Sequence, residues 1–233
     1  MPIVATSVAG DLNLLGDTAA AYVEEGMRVG LGTGHAATAF IHALAKRFQG
    51  RAAQLTCVAT SEASAKLAAE LGLRVTSLEE AGELDLTVDG ADEVDPRLDL
   101  IKGLGGALVR EKIVAASSRR LVIVVGAEKL VPRLGVVTPL PVEVLPFGEA
   151  LCRRRLVGLG AEPRRRSTGT TAFVSDNGNH ILDCAFGGIE DPVALDRAIR
   201  EIPGVMGTGL FVGMAERVLV QDGKRVDVRR RVT

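Results

Sequence analysis

Two carboxylates, a lysine and a glutamate spaced for proton and charge chemistry stand in one short stretch, DGADEVDPRLDLIKGLGGALVREKIV, which spans residues 89–114. Asp89 and Asp92 stand three residues apart, Lys102 opens a glycine-rich turn, and Glu111 follows it. Carboxylates at a strand end serve as acid, base or hydrogen-bond acceptor for sugar hydroxyls, and a lysine stabilises a developing oxyanion. Gly103, Gly105 and Gly106 let backbone N–H groups approach a ligand closely. Glu111 is then the natural mobile base. Taken singly, the aspartates read as turn formers, and Lys102 and Glu111 as solvated charges flanking a helix. Together in one glycine-rich segment they favour a site for a small, polar, anionic substrate.

A second candidate lies upstream at Gly32-Thr33-Gly34-His35-Ala36. A glycine turn between a strand and a helix exposes N–H groups at the positive end of the helix dipole, which suits a phosphate. Residues 32–37 also satisfy G-x-G-x-x-A, a dinucleotide-type pattern, with Glu62 beyond the second strand; a plain tight turn is the simpler reading. His35 and His42 share a helix face, but no third ligand with metal-like spacing accompanies them. The arginine runs 164–166 and 229–231 read as solvated charge.

These residues need a sheet edge to hold them. An apolar run over 84–88 reads as a strand, which puts Asp89 and Asp92 just past its carboxyl end, and 107–116 has helical composition. Upstream, helical patterns over 12–25, 36–48 and 63–71 alternate with strand-like runs over 29–31, 55–59 and 73–75. Ser77 to Glu80 has the capping-box pattern of a brief helix, and 120–125 reads as a buried strand. Strands alternating with helices predict an α/β fold, a doubly wound and mostly parallel Rossmann-like sheet, whose carboxyl edge binds ligands. Beyond Lys129, four prolines between 132 and 146 mark a crossing into a smaller α+β subdomain. There the pattern predicts a helix over 148–159, a hairpin of strands 172–175 and 180–185 joined at Asn177-Gly178, and a helix from Asp191-Pro192 to Arg200. A closing hairpin over 218–228 turns at Asp222-Gly223. The expected division is 1–130 with about 207–233 as the catalytic domain and about 131–206 as the subdomain.

Composition narrows the partners. With 28 basic against 29 acidic residues, 3% aromatics and no tryptophan, the chain offers neither a basic face nor a stacking platform for nucleic acid. Its three cysteines lack a C-x-x-C pair, which fits a reducing cytoplasm better than a disulfide framework. No basic-then-apolar leader opens the chain, and its longest apolar run is far too short for a bilayer, so no membrane partner is expected.

The chain resembles the type A ribose-5-phosphate isomerase family over nearly its whole length. The likeness rests on GLGTG at 30–34, TSEAS at 60–64, DGADEVD at 89–95 and IKGLGGALVREKIV at 101–114. It extends to PLPVEVLPF at 139–147, SDNGNHILD at 175–183 and IPGVMGTGLFVGMA at 202–215. That resemblance implies interconversion of D-ribose 5-phosphate and D-ribulose 5-phosphate in the pentose phosphate pathway, without metal or organic cofactor, by a homodimer or homotetramer. It implies Glu111 as base, with substrate contacts at Asp89, Gly90, Ala91 and Asp92, at Lys102, Gly103, Leu104 and Gly105, and at Lys129. The phosphate turn maps onto Thr33, Gly34, His35 and Ala36, where the family usually has Ser-Thr in the last two places. Two rival classes are a nucleotide-dependent oxidoreductase, which would explain G-x-G-x-x-A alone, and a sugar-phosphate-sensing module, which would not need Glu111.

Overall fold

A computed structural model describes residues 12–51 and 54–231. The expectations about a leader, and the ends of the proposed catalytic domain at 1–11 and 232–233, lie outside the described residues. The first half runs α1 (Asn13–Ala20), β1 (Arg28–Leu31), α2 (His35–Arg47), β2 (Thr56–Ala59), α3 (Glu62–Glu70) and α4 (Leu78–Ala81). It continues with β3 (Leu86–Asp89), β4 (Glu93–Val94), β5 (Leu100–Ile101), α5 (Leu108–Ala116) and β6 (Leu121–Gly126). A 3-10 turn at Ala127–Lys129 leads to β7 (Leu140–Val144), α6 (Glu149–Gly158), β8 (Glu162–Arg165), β9 (Ser167–Thr168) and β10 (Thr171–Ala172). The chain ends with β11 (His180–Ala185), α7 (Pro192–Arg200), β12 (Val205–Thr208), β13 (Leu210–Phe211), β14 (Arg217–Asp222) and β15 (Arg225–Arg230).

The main sheet has the order β15-β14-β6-β3-β1-β2. All its pairings are parallel except the β14–β15 edge hairpin. Period-2 alternation explains why β6 is apolar at nearly every position. Val122 and Val124 face one core with Phe40, Ile41 and Leu44 of α2 and Leu15 of α1. Leu121, Ile123 and Val125 face another with Val218, Val220, Leu100 and Phe211. A strand buried on both faces cannot alternate with polar residues. This is the expected α/β, mostly parallel arrangement.

The strand order places the site. From β1 the chain goes outward through α2 to β2, then returns past β1 to β3 and continues the other way to β6. Between the carboxyl ends of β1 and β3 the winding direction switches, which leaves a crevice where ligands bind in such sheets. Two smaller sheets flank it, β12-β7-β11-β8 and β13-β5-β4. The four-stranded one packs Val142, Val144 and Leu182 against Leu156 of α6 and Ile199 of α7.

Several local expectations need correction. Asp89 is the last residue of β3, paired with Ile123, rather than a residue beyond the strand. The helix expected over 12–25 ends at Ala20, and the strand expected over 73–75 is a single bridge from Val75 to Cys57. The Asn177-Gly178 turn forms, but its hairpin does not. β11 pairs with β7 and β8, while β10 pairs with β9. The reason is a buried carboxylate: Glu143 Oε1 accepts bonds from Ser175 Oγ, Asn177 Nδ2 and Asn179 Nδ2, which folds the turn onto β7 instead of into a ladder. Prolines hid β7 itself, because Pro141 sits in an inner strand, where its carbonyl still accepts from Gly209 N–H. Cys57, Cys152 and Cys184 are free and buried. Among the described residues no helix is long and apolar enough to cross a membrane.

Candidate active site

Asp89 anchors the crevice. Its Oδ1 accepts the backbone N–H groups of Thr33 (3.0 Å) and Gly90 (2.7 Å), and its Oδ2 lies 3.0 Å from Lys102 Nζ. Gly32 makes this approach possible, since a Cβ there would come within 2.2 Å of Asp89 Oδ1. The turn after β1 and the end of β3 are therefore locked to one another.

Lys102 follows β5 and is held by its backbone N–H on the carbonyl of Gly209. Its side chain is only 2% exposed. Besides Asp89, the ammonium reaches Gly90 O at 2.6 Å and Glu111 Oε1 at 3.1 Å. Every ammonium hydrogen thus has a partner. Burial alone would lower the pKa of this lysine, but the carboxylates of Asp89 and Glu111 outweigh it and hold it raised, so it is an ammonium at any working pH.

Glu111 lies in the first turn of α5, on the buried helix face that also carries Leu108, Val114 and Ala115. Its Oε1 meets Lys102, whereas its buried Oε2 has no hydrogen-bond partner. Burial pushes its pKa up from the ordinary 4.5, repulsion from Asp89 adds, and Lys102 pulls back, leaving it at about 8. Asp89 is also raised by burial, against the pull of Lys102 and its two N–H donors. One lysine charge cannot neutralise two buried carboxylates. Asp89 has three donors around it and Glu111 only one.

The glycine loop forms the facing wall. Gly106 N–H closes it on Gly103 O, with positive φ at Gly103 (106°) and Gly106 (87°). Leu104 N–H donates to Asp92 Oδ2 at 2.9 Å. Asp92 is half-buried, and its other oxygen has no protein donor among the described residues. Across the mouth, a Cβ on Gly105 would touch Thr33 Cγ2 at 3.6 Å, so the loop faces the turn after β1.

That turn ends at Gly34, the N-cap of α2, with φ 98° and no side-chain cap. The first N–H groups of a 13-residue helix are left open toward the crevice. Thr33 Oγ1 is gripped from behind by the hydroxyls of Thr60 (2.7 Å) and Ser61 (2.8 Å), and Ser64 Oγ donates to Gly32 O. His35 is exposed and Ala36 half-buried at the first positions of α2. Lys129 closes the 3-10 turn after β6 at the same sheet edge, without a bond to the other site residues.

The structure therefore brings Thr33, Asp89, Gly90, Asp92, Lys102, Gly103, Leu104, Gly105 and Glu111 into one contact network. Gly34, His35 and Ala36 border it, Ala91 packs beside β6, and Lys129 stands apart. Sequence reasoning missed the supporting hydroxyls of Thr60, Ser61 and Ser64, whose clustering in TSEAS was the available signal. It also misjudged two arginines. Arg166 pairs with Asp183 and reaches the glycine loop, and Arg231 binds Asp99 and the Leu98 carbonyl, so neither is solvated charge.

Comparison with known proteins identifies the family. The sequence profile of the family described as ribose 5-phosphate isomerase A (phosphoriboisomerase A) matches residues 56–225. The chain belongs to that family. A relative named ribose-5-phosphate isomerase A from Roseiflexus sp. (strain RS-1) is 54% identical over 201 residues, covering 85% of this chain and 86% of the relative. One of the same name from Gloeobacter violaceus is 50% identical over 223 residues, covering 94% and 96%. Among solved structures, ribose 5-phosphate isomerase A from Methanocaldococcus jannaschii superposes with a TM-score of 0.89 at 36% identity, covering 94% of this chain and 98% of that one. A D-ribose-5-phosphate isomerase in complex with phospho-erythronic acid superposes at 0.91 with 34% identity, covering 94% and 97%. Membership of an isomerase family displaces the oxidoreductase and sensor readings, and G-x-G-x-x-A is a turn of this site.

Proposed function

We propose that the protein interconverts D-ribose 5-phosphate and D-ribulose 5-phosphate through an enediolate, with Glu111 carrying the proton between C2 and C1. The observation that carries this reading is the buried Glu111 carboxylate with one oxygen on Lys102 and the other free. A base poised near pH 8 abstracts a carbon-bound proton far better than an ordinary carboxylate.

Each neighbour has a place in that chemistry. When Glu111 takes the C2 proton it becomes neutral, its attraction for Lys102 weakens, and the ammonium charge turns to the enediolate oxygens. Asp89, with both oxygens engaged, holds Lys102 and the Thr33 turn in place. Asp92, with one free oxygen beside the loop, accepts sugar hydroxyls and the proton of ring opening. The open N-terminus of α2 with Thr33, Gly34, His35 and Ala36 takes the phosphate, and Lys129 adds a cation at the same edge.

The wider expectations stand as proposals. Free buried cysteines support a cytoplasmic setting. Phe147 and Val137, 98% and 78% exposed, support assembly into a homodimer or homotetramer. The core of β7, β8, β11, β12, α6 and α7, which Ile101 and Leu210 join from the neighbouring segments, supports treating about 131–206 as a subdomain beside 1–130 and 207–233.

The test is direct. Purified protein treated with a chelator is incubated with ribose 5-phosphate in deuterated water. Ribulose 5-phosphate should form with solvent deuterium at C1, and ribose 5-phosphate recovered on reversal should carry it at C2. Turnover without solvent label would point to a hydride shift instead, and no turnover would overturn the assignment.

A further inference from the structure

Arg166 alone of the 164–166 run turns its head group inward, with a side chain 12% exposed. Its Nε lies 3.0 Å from Asp183 Oδ2 and its Nη2 2.5 Å from Asp183 Oδ1, a two-pronged pair. Its Nη1 then reaches the carbonyl oxygens of Gly103 at 2.9 Å and Leu104 at 2.8 Å. The ring of Phe173 lies 5.7 Å from the guanidinium carbon, and it fills the space that a Cβ on Gly106 would need. Residues of the region after β8 thus grip both ends of the glycine loop.

A trans peptide points its C=O and the next N–H in opposite directions. Holding the Gly103 carbonyl on Arg166 therefore turns the Leu104 N–H the other way, and that N–H is the donor to Asp92 Oδ2. Holding the Leu104 carbonyl turns the Gly105 N–H away from Arg166 in the same manner. That N–H has no protein acceptor among the described residues, and Gly105 borders Thr33 at the mouth of the site. With glycine at 103, 105 and 106, the loop's own conformational preferences are weak, so an outside restraint decides which way these peptides face.

We infer that Arg166, fixed by Asp183, is a positioning residue for the isomerisation, orienting the N–H groups of Leu104 and Gly105 toward Asp92 and the sugar. This rests on the isomerase reading above and adds a residue to it. The role suits arginine specifically. A planar guanidinium can bind a carboxylate with two prongs and still donate to two carbonyls, which a single ammonium cannot.

The experiment compares wild type with Arg166→Lys and Asp183→Asn by isomerase kinetics, by inhibition with inorganic phosphate, and by amide hydrogen exchange. In Arg166→Lys, kcat should fall about ten- to a hundredfold, as small misplacements in a site do. Exchange at Leu104, whose N–H is bonded to Asp92, should quicken, while the Ki for inorganic phosphate, held on the other wall, stays within about twofold. Asp183→Asn should show the same pattern more weakly, and it carries the test if the lysine variant does not fold. An active wild type with both variants unchanged in kcat, or unchanged exchange at the Leu104 amide, overturns the inference. So does a Ki for phosphate that worsens as much as kcat/KM, because that marks general loosening. A wild type inactive on ribose 5-phosphate overturns the isomerase reading, and the role of Arg166 with it.

Discussion

Glu111 Oε1 lies 3.1 Å from Lys102 Nζ, and the same ammonium lies 3.0 Å from Asp89 Oδ2. Burial makes Glu111 basic, and because one cation is shared by two buried carboxylates the repulsion from Asp89 adds to it. The other oxygen of Glu111 is buried and has no protein donor among the described residues, so its lone pairs are not engaged by the protein.

Glu111→Gln keeps the shape of the side chain and removes the proton acceptor. The variant should fold, and kcat should drop by about 10² to 10⁴, the usual range for loss of a general base. Steady-state assays on ribose 5-phosphate decide this. Retention of more than roughly a tenth of wild-type kcat would remove Glu111 from the role.

The pH profile follows from the raised Glu111, at about 8 against an ordinary 4.5. A base works only when ionised, so kcat/KM should climb as pH rises through the range around 8 and then level off. A profile that is flat or falling between about pH 6 and 8 contradicts this assignment. Stability runs the opposite way. The folded protein keeps a proton that the unfolded chain has already released, so ionising Glu111 costs stability as pH rises from the ordinary carboxylate range toward 8. Glu111→Gln should lose less stability than wild type over that interval, as thermal melts at several pH values would show.

Lys102→Met removes the shared cation and leaves Asp89, Asp92 and Glu111 facing each other. Stability at neutral pH should fall by about 3–5 kcal/mol, the range for breaking a buried pair. The deficit should shrink as pH is lowered, because protonation relieves the repulsion. Denaturant titrations at pH 5 and 8 test the sign, and an equal deficit at both would mean that packing, not charge, dominates.

His35→Ala probes the phosphate end. The family usually places hydroxyl side chains at positions 35 and 36, and here an imidazole and a methyl group stand there. If His35 donates to the bound phosphate, its loss should raise KM by about ten- to a hundredfold with little change in kcat, and His35→Ser with Ala36→Thr should restore affinity. An unchanged KM in His35→Ala would leave the phosphate to Thr33, Lys129 and the backbone of α2.

The local chemistry was legible in the sequence because its signals are local. Asp89, Lys102 and Glu111 lie within 23 residues, glycines mark the turns, and apolar runs separated by helical periods dictate a parallel sheet with its ligand edge after β1 and β3. Ser77, Asp191 and the Asp222-Gly223 turn did what their side chains predict. What spacing could not show was which groups meet across long stretches of chain. Strands of two residues such as β4, β5 and β13 carry no period, and Pro141 disguised an inner strand. Glu143 overrode the hairpin signal of Asn177-Gly178 because a buried carboxylate must find donors wherever they are. Arg166 read as solvated charge until packing set it against Asp183 and the glycine loop. Above all, the basicity of Glu111 is a property of burial and of one lysine shared with Asp89. Residue types named the acid, the base and the cation, and only the tertiary structure excluded water from them and made their charges unequal.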